Sequence, residues 1–234
     1  MKRLFCTLLF AISVQFLFAN QPYHFSHLSV KDGLSQLNVT CIYQDKLGYI
    51  WFGTRNGLNK FNGNSFEVYW NHADDPHSIS SNIINCMAED AEGNLWIGTE
   101  NGLNRLDKNK NEFKRYHINQ QENKDKNKIT SLCLDQQGTL WVGAASEGLF
   151  AYTPQGDSLK NISTKELKGN WVNDIIERDH KLYIASYNRG LLIYDLQQQA
   201  VVRSFQQNSE SLPIPSNRIR KVHIDRKGNI WLGN

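Results

Sequence analysis

Four residues recur together along this chain at a near-constant interval, and no other feature restricts its fold so strongly. Asp45, Gly48, Trp51 and Gly53 reappear as Asp90, Gly93, Trp96 and Gly98, each displaced by 45 positions. Asp135, Gly138, Trp141 and Gly143 stand another 45 further on. A fourth copy is degenerate: Tyr183 holds the Trp position, His180 and Ala185 replace the two glycines, and Gly190 and Leu191 close its hairpin. Asp225, Gly228, Trp231 and Gly233 open a fifth. A unit that repeats at this period cannot bury its apolar surface alone and must stack on neighbours of its own kind.

Each copy reads as four short strands. In the first copy they cover residues 39–44, 49–54, 58–61 and 65–70, with turns at 45–48, 56–57 and 62–63. Asn56 with Gly57, and Asn101 with Gly102, are expected to make two-residue hairpins with positive φ at both positions. Two apolar columns run through the first strands: Val39, Ile84, Ile129, Val172 and Ile219, then Ile42, Met87, Leu132, Ile175 and Val222. They lie three residues apart, so strand alternation places them on opposite faces. A sheet apolar on both faces must be sandwiched between others. The pattern predicts an all-β fold, a β-propeller of four-stranded antiparallel blades with a period of about 45 residues. The chain holds about four and a half blades of an expected seven and is expected to be an incomplete fragment.

The recurring residues read as scaffold. Trp51, Trp96, Trp141 and Trp231 would bury large rings in every blade. Asp45, Asp90, Asp135 and Asp225 would pin the following turn through side-chain to backbone bonds. Gly53, Gly98, Gly143 and Gly233 belong to the same structural set.

Residues 1–19 form a separate segment. Lys2 and Arg3 precede an apolar run over residues 4–18, and Ala19 precedes Asn20, Gln21 and Pro22. That layout is a secretory signal cleaved after Ala19, with an uncleaved membrane anchor as the alternative. Its removal leaves 24 basic residues against 23 acidic. No basic stripe remains, so no nucleic acid is expected as partner. Residues 20–38 read as a closing outer strand with the loop that follows it. Blades one to four are expected at 39–78, 79–125, 126–165 and 166–210, and a truncated blade five at 211–234. Cys41, Cys86 and Cys133 survive processing in a spacing that fits no zinc pattern. Cys41 and Cys86 share a column, as two small buried thiols or as a disulfide.

Residues 34–39, 45–63 and 75–82 resemble the two-component regulator propeller repeats. The resemblance covers about residues 23–234 and is closest in the first three copies. It implies the periplasmic sensor region of a hybrid two-component system histidine kinase, whose remaining blades and kinase half would complete the parent chain. Such a parent would be anchored in the inner membrane, could pair as a homodimer, and would answer to an oligosaccharide ligand through a phosphorelay.

Two other classes compete with this sensor reading. A secreted structural or protein-binding propeller is compatible with the same repeats. A propeller lyase or glycosidase would need acids and bases converging from non-repeating positions, and no such set is visible. Catalytic residues, metal ligands and cofactors are therefore each read as none, and the chain itself as no enzyme. His24 and His27 would face opposite ways on a strand, and His72 and His77 share a loop. Recognition is expected where the copies differ, in the loops joining second to third strands. The candidate ligand-binding residues are Arg55, Glu100, Glu147, Tyr187 and Arg189, a mixture suited to a polyhydroxylated or anionic ligand.

Overall fold

A computed structural model of the chain describes residues 25–118, 127–153, 155–162, 164–210 and 212–234. The expected signal segment, residues 1–19, lies outside them, as do Tyr23 and His24. Residues 25–29 carry no strand and Phe25 is 87% exposed. An extended segment becomes a strand only when a ladder partner takes its N–H and C=O groups. One turn of 3-10 helix follows at Val30–Asp32, capped by Ser29, whose Oγ accepts from the Lys31 N–H at 3.2 Å.

Eighteen strands follow among the described residues. Blade one is β1 (Val39–Gln44), β2 (Ile50–Thr54), β3 (Gly57–Phe61) and β4 (Phe66–Tyr69). Blade two is β5 (Ile84–Glu89), β6 (Leu95–Thr99), β7 (Gly102–Asp107) and β8 (Glu112–Tyr116). Blade three is β9 (Ile129–Leu134), β10 (Leu140–Ala144), β11 (Gly148–Thr153) and β12 (Ser158–Asn161). Blade four is β13 (Val172–Arg178), β14 (Lys181–Ser186), β15 (Leu191–Asp195) and β16 (Ala200–Phe205), and β17 (Lys221–Ile224) pairs with β18 (Ile230–Gly233). Each of the first four sheets is an antiparallel meander in chain order. The innermost strands β1, β5, β9, β13 and β17 are neighbours in succession, so the blades stack around a common inner wall.

The recurring Asp and Trp act as one device. In blade one Asp45 Oδ1 accepts the Leu47 and Tyr49 N–H groups at 3.0 Å each, and Oδ2 accepts the Trp51 indole N–H at 2.9 Å. Trp96 and Trp141 donate to Asp90 and Asp135 at 2.8 Å, and Trp231 to Asp225 at 3.1 Å. One carboxylate thus closes the turn and satisfies a buried indole donor that would otherwise be orphaned. Trp51 and Trp96 are fully buried between blades. Trp231, in the two-stranded sheet, is 62% exposed but keeps the same bond.

Gly53, Gly98 and Gly143 let the blades approach. A Cβ at Gly98 would lie 2.4 Å from Cys86 Sγ and 2.6 Å from Ile129 Cγ2 of the next blade, and one at Gly143 would lie 2.6 Å from Val172 Cγ1. In blade four Ala185 occupies this position, fully buried, opposite Asp174, where Gly53 and Gly98 face a thiol and Gly143 faces Ser131. The replacement of Gly48 by His180 has a different consequence. Asp179 and His180 both take positive φ, and the pairing of Arg178 with Lys181 leaves a tight two-residue hairpin where the other blades have an Asp-pinned turn.

Two local expectations are corrected. In the hairpins after β2 and β6 the central pairs are Arg55–Asn56 and Glu100–Asn101, and of each hairpin only Gly57 or Gly102 has positive φ. Thr54 Oγ1 accepts the Asn56 N–H at 3.0 Å and donates to the Gly57 carbonyl at 2.9 Å, which holds an ordinary turn ahead of the glycine. The apolar columns of the inner strands also do not lie on opposite faces. A β-bulge between Val39 and Cys41 recurs between Ile84 and Cys86 and between Val172 and Asp174, and blade three shifts register at the same place, opposite Gly143 and Ala144. The extra residue cancels the alternation, so both columns turn toward the preceding blade. Ile84 and Met87 pack with Trp51, and Val172 and Ile175 with Trp141. The other face is apolar through different residues: Cys41 packs with Ile84, Cys86 with Ile129, and Cys133 with Val172.

At the rim away from the bulges, Lys108 ties blade two to blade one. Its Nζ lies 3.1 Å from Asp45 Oδ2 and 2.8 Å from Glu89 Oε1, and Glu89 also accepts the Lys46 N–H at 2.8 Å. Burial acts to raise the Asp45 carboxyl, but the Trp51 indole and the Lys108 ammonium outweigh it and hold the group below its usual range.

Candidate functional site at the mouth of the inner wall

The bulges that reorient the inner strands also build a site. A bulged residue lacks a cross-strand partner, and its side chain is free to reach sideways. Thr40 Oγ1 donates to the Ile84 carbonyl of blade two at 2.6 Å, and Asn85 Nδ2 to Ile129 of blade three at 2.8 Å. Thr130 Oγ1 donates to Val172, and Asn173 Nδ2 to Ile219 at 2.7 Å. Each blade is thereby stitched to the next at one height. The fifth copy carries Arg220 at this position. These five residues, with Lys128, Trp171, Tyr187 and Lys221, line an open cleft of about 420 Å³ at the mouth of the inner wall.

The second ring of the mouth comes from the residue just before each inner strand, paired with the hairpin of its own or the preceding blade. The Glu100 N–H donates to the Ile83 carbonyl at 3.1 Å, Ala145 to Lys128 at 3.0 Å, and Tyr187 to Trp171 at 3.0 Å. The side chains differ completely between copies. Trp171 and Tyr187 sit with ring centroids 5.7 Å apart, tilted by 36°, and both are partly exposed. The Arg218 guanidinium lies 5.1 Å from the Tyr187 ring centroid, a cation–π distance. Lys128 Nζ meets Glu100 Oε1 at 2.8 Å, and Lys221 Nζ meets Asp174 Oδ1 at 3.1 Å while Asp174 Oδ2 accepts the Val222 N–H. Both pairs are solvent-accessible and stabilise by no more than about 1 kcal/mol each. Their consequence is positional, since they hold ammonium groups beside the aromatic pair.

Of the five sequence-predicted residues, the structure brings Tyr187 into this cleft and Glu100 to its margin through Lys128. Arg55 is exposed in its hairpin turn. Arg189 is half-buried, with its N–H donated to Ser186 Oγ at 3.0 Å. Glu147 is half-buried, and its carbonyl accepts from Asn161 Nδ2. Arg55, Glu147 and Arg189 do not line the cleft around Tyr187. The reading of the hairpins missed Lys128, Trp171, Arg218, Arg220 and Lys221. The signal was present one column away: Asn38, Ile83, Lys128, Trp171 and Arg218 precede equivalent inner strands and share no chemistry.

Beneath the mouth lie the three thiols, all unpaired. Burial pushes Cys41 and Cys133 up to about 11 and Cys86 well above its ordinary value. His72 and His77 are exposed on their loop, and His77 Nδ1 lies 3.8 Å from Glu112 Oε2. Among the described residues no group of three His, Cys, Asp or Glu side chains stands close enough to hold a metal ion, and no helix is long and apolar enough to cross a membrane.

Residues 33–56, 78–101 and 124–146 match the family described as two component regulator propeller. Histidine kinase P4 of Formosa agariphila is 49% identical over 61 residues, a stretch that is 26% of this chain and 4% of that protein. Among solved structures, the extracellular domain of BT4673 from B. thetaiotaomicron, described as that of a hybrid two component system, superposes with a TM-score of 0.70 at 20% identity. The match covers 92% of this chain and 27% of that one. Virginiamycin B lyase from Staphylococcus aureus superposes with a TM-score of 0.66 at 16% identity, over 91% of this chain and 68% of the lyase. The chain therefore spans a small part of the histidine kinase and of the BT4673 domain that it matches, and at these identities the solved structures establish the fold alone. The chain is a β-propeller segment carrying two-component regulator propeller repeats.

Proposed function

We propose that this chain is part of the ligand-sensing propeller of a hybrid two-component sensor, exported to the periplasm and responsive to an oligosaccharide. The observation that carries the reading is the mouth of the inner wall. There the repeat gives way to the partly exposed Trp171–Tyr187 pair beside hydrogen-bonding side chains from several blades. Aromatic faces stack on the apolar faces of sugar rings, and amides, hydroxyls and charged groups answer the ring hydroxyls. The match of one segment to a histidine kinase supports placing this domain upstream of a kinase.

The test is calorimetry on the purified periplasmic region with a panel of oligosaccharides. At least one sugar should bind, and Trp171→Ala and Tyr187→Ala should each weaken it at least tenfold while the melting temperature stays within a few degrees. Arg55→Ala and Arg189→Ala test whether the contact surface extends to the other hairpins. If no sugar in the panel binds, or both aromatic variants bind as wild type, the cleft is not the sensory site and a structural or protein-binding propeller is the better reading. Export is tested separately by N-terminal sequencing of envelope protein, with Asn20 as the expected first residue and an intact Met1 in the membrane fraction as the contrary result.

A further inference from the structure

The charge of the mouth is one-sided, and that restricts the ligand further. Lys128, Arg218, Arg220 and Lys221 gather there, against the carboxylates of Glu100 and Asp174. Each carboxylate is already answered by a lysine, Glu100 by Lys128 and Asp174 by Lys221. Among the described residues the positive charge left over is carried by Arg218 and Arg220, both exposed. Arg220 stands at the bulge position that is Thr or Asn in every preceding blade, so the cation enters the one ring of residues that otherwise only stitches blades together.

The remaining groups specify what the anion is attached to. Asn85 and Asn173 each commit an amide N–H to the carbonyl of the next blade. Each amide keeps its carbonyl oxygen, a group that accepts from a hydroxyl. The partly exposed Trp171–Tyr187 pair supplies aromatic surface in the same cleft. Aromatic surface for a ring face, amide oxygens as acceptors for hydroxyl groups and two exposed guanidinium groups match a hydroxyl-rich ring bearing a negative group. Guanidinium is the side chain best suited to that group, because its planar fork gives two parallel hydrogen bonds to the oxygens of a carboxylate or a sulfate.

Resting on the reading of this cleft as the ligand site, we infer that the mouth of the inner wall takes an acidic saccharide, with its carboxylate or sulfate received by Arg218 and Arg220 and a sugar ring on Trp171 and Tyr187.

The experiment compares three oligosaccharides of equal length on the same periplasmic region by calorimetry: an oligogalacturonate, a sulfated galactan oligomer and the neutral galactan oligomer. Titrations are run at low and at physiological salt. At least one acidic oligomer should bind about tenfold or more tighter than the neutral one, the gain of one charge-assisted contact. The advantage should shrink as salt rises, because exposed charges are screened over about 8–10 Å. Which acidic oligomer wins identifies carboxylate or sulfate as the group received. Arg218→Gln and Arg220→Gln should each bring the affinity for the acidic oligomer down toward that for the neutral one, and both replace exposed side chains. Equal, salt-independent affinity for acidic and neutral oligomers, still abolished by Trp171→Ala, overturns the acidic class while the cleft stands. Binding of none of the three, when another sugar of the panel binds at the Trp171–Tyr187 cleft, overturns the acidic class; binding of no sugar at all overturns both readings. An oligonucleotide of matching charge that binds as tightly as the acidic sugars shows a nonspecific basic face and also overturns the inference.

Discussion

Gly98→Ala is a sharp test of how the blades hold together. The added Cβ would lie 2.4 Å from Cys86 Sγ, 2.6 Å from Ile129 Cγ2 and 3.0 Å from Ile129 Cβ. Carbon atoms in contact sit about 3.5–4.0 Å apart, so the methyl group is short of room on two sides. The backbone cannot retreat, because Gly98 is paired with Cys86 on one strand and with Leu103 on the other. Overpacking of this kind costs about 1–3 kcal/mol, and the two-sided obstruction puts this site in the upper half of that range. Replacing glycine also restrains the unfolded chain and returns about 0.4–1 kcal/mol. The net loss is about 1–2.6 kcal/mol, or roughly 2–10 °C in melting temperature for a chain of this size. Differential scanning calorimetry reads it directly. Adding Cys86→Ala removes the nearest obstructing atom and should restore part of the loss, leaving the Ile129 contribution. Blade four supplies the opposite case. Ala185 is fully buried at the equivalent position, so Ala185→Gly should also destabilise, by roughly 1–2 kcal/mol from a lost methyl contact and a freer unfolded chain. A Gly98→Ala protein that melts within a degree of wild type refutes the close inter-blade contact.

Three further outcomes are expected. Trp96→Ala should lose about 3–5 kcal/mol in chemical denaturation as a core deletion; loss of ligand response with unchanged stability would show that the ring is not scaffold. At pH 8 only about one in a thousand of the Cys41 and Cys133 thiols is ionised, so iodoacetamide should label them slowly in the folded protein and quickly in denaturant, and equal rates would place them at an open surface. Asp157, bonded to Lys114, Tyr116 and Tyr152, is held down at about 2 in the folded protein. A depressed carboxyl stabilises above its unfolded value of about 4 and loses that stabilisation as pH falls through its folded value. Melting temperatures should therefore decline between pH 4 and 2, and Asp157→Asn should be less stable at pH 7 with a shallower decline; an unchanged slope would mean that the clasp contributes nothing.

The blade architecture was legible because it is local and repeated. Asp45, Trp51 and the turn between them lie within seven residues, and a device written four times with the same spacing declares itself as structure. The hairpin conformation was misread because Asn–Gly pairs suit more than one turn, and Thr54 chooses between them through bonds to Asn56 and Gly57. Strand alternation failed at the first residues of the inner strands for a related reason. A bulge adds one residue without a local signal, and the side chains that favour it, Thr40 and Asn85, reach partners in the next blade about 44 residues away.

The sequence by itself determined the repeat, the four strands of each copy, the scaffold role of Asp, Trp and Gly, and the family of repeats to which they belong. Those are set by short-range periodicity and turn chemistry, which four of the five copies report independently. Only the tertiary structure decided which variable residues meet. Trp171 and Tyr187 are sixteen positions apart, Arg220 belongs to a different blade, and Thr40 faces the same cleft from the far end of the chain. Their convergence depends on the angle at which successive blades stack, which follows from how closely Gly53, Gly98 and Gly143 let one sheet approach the next.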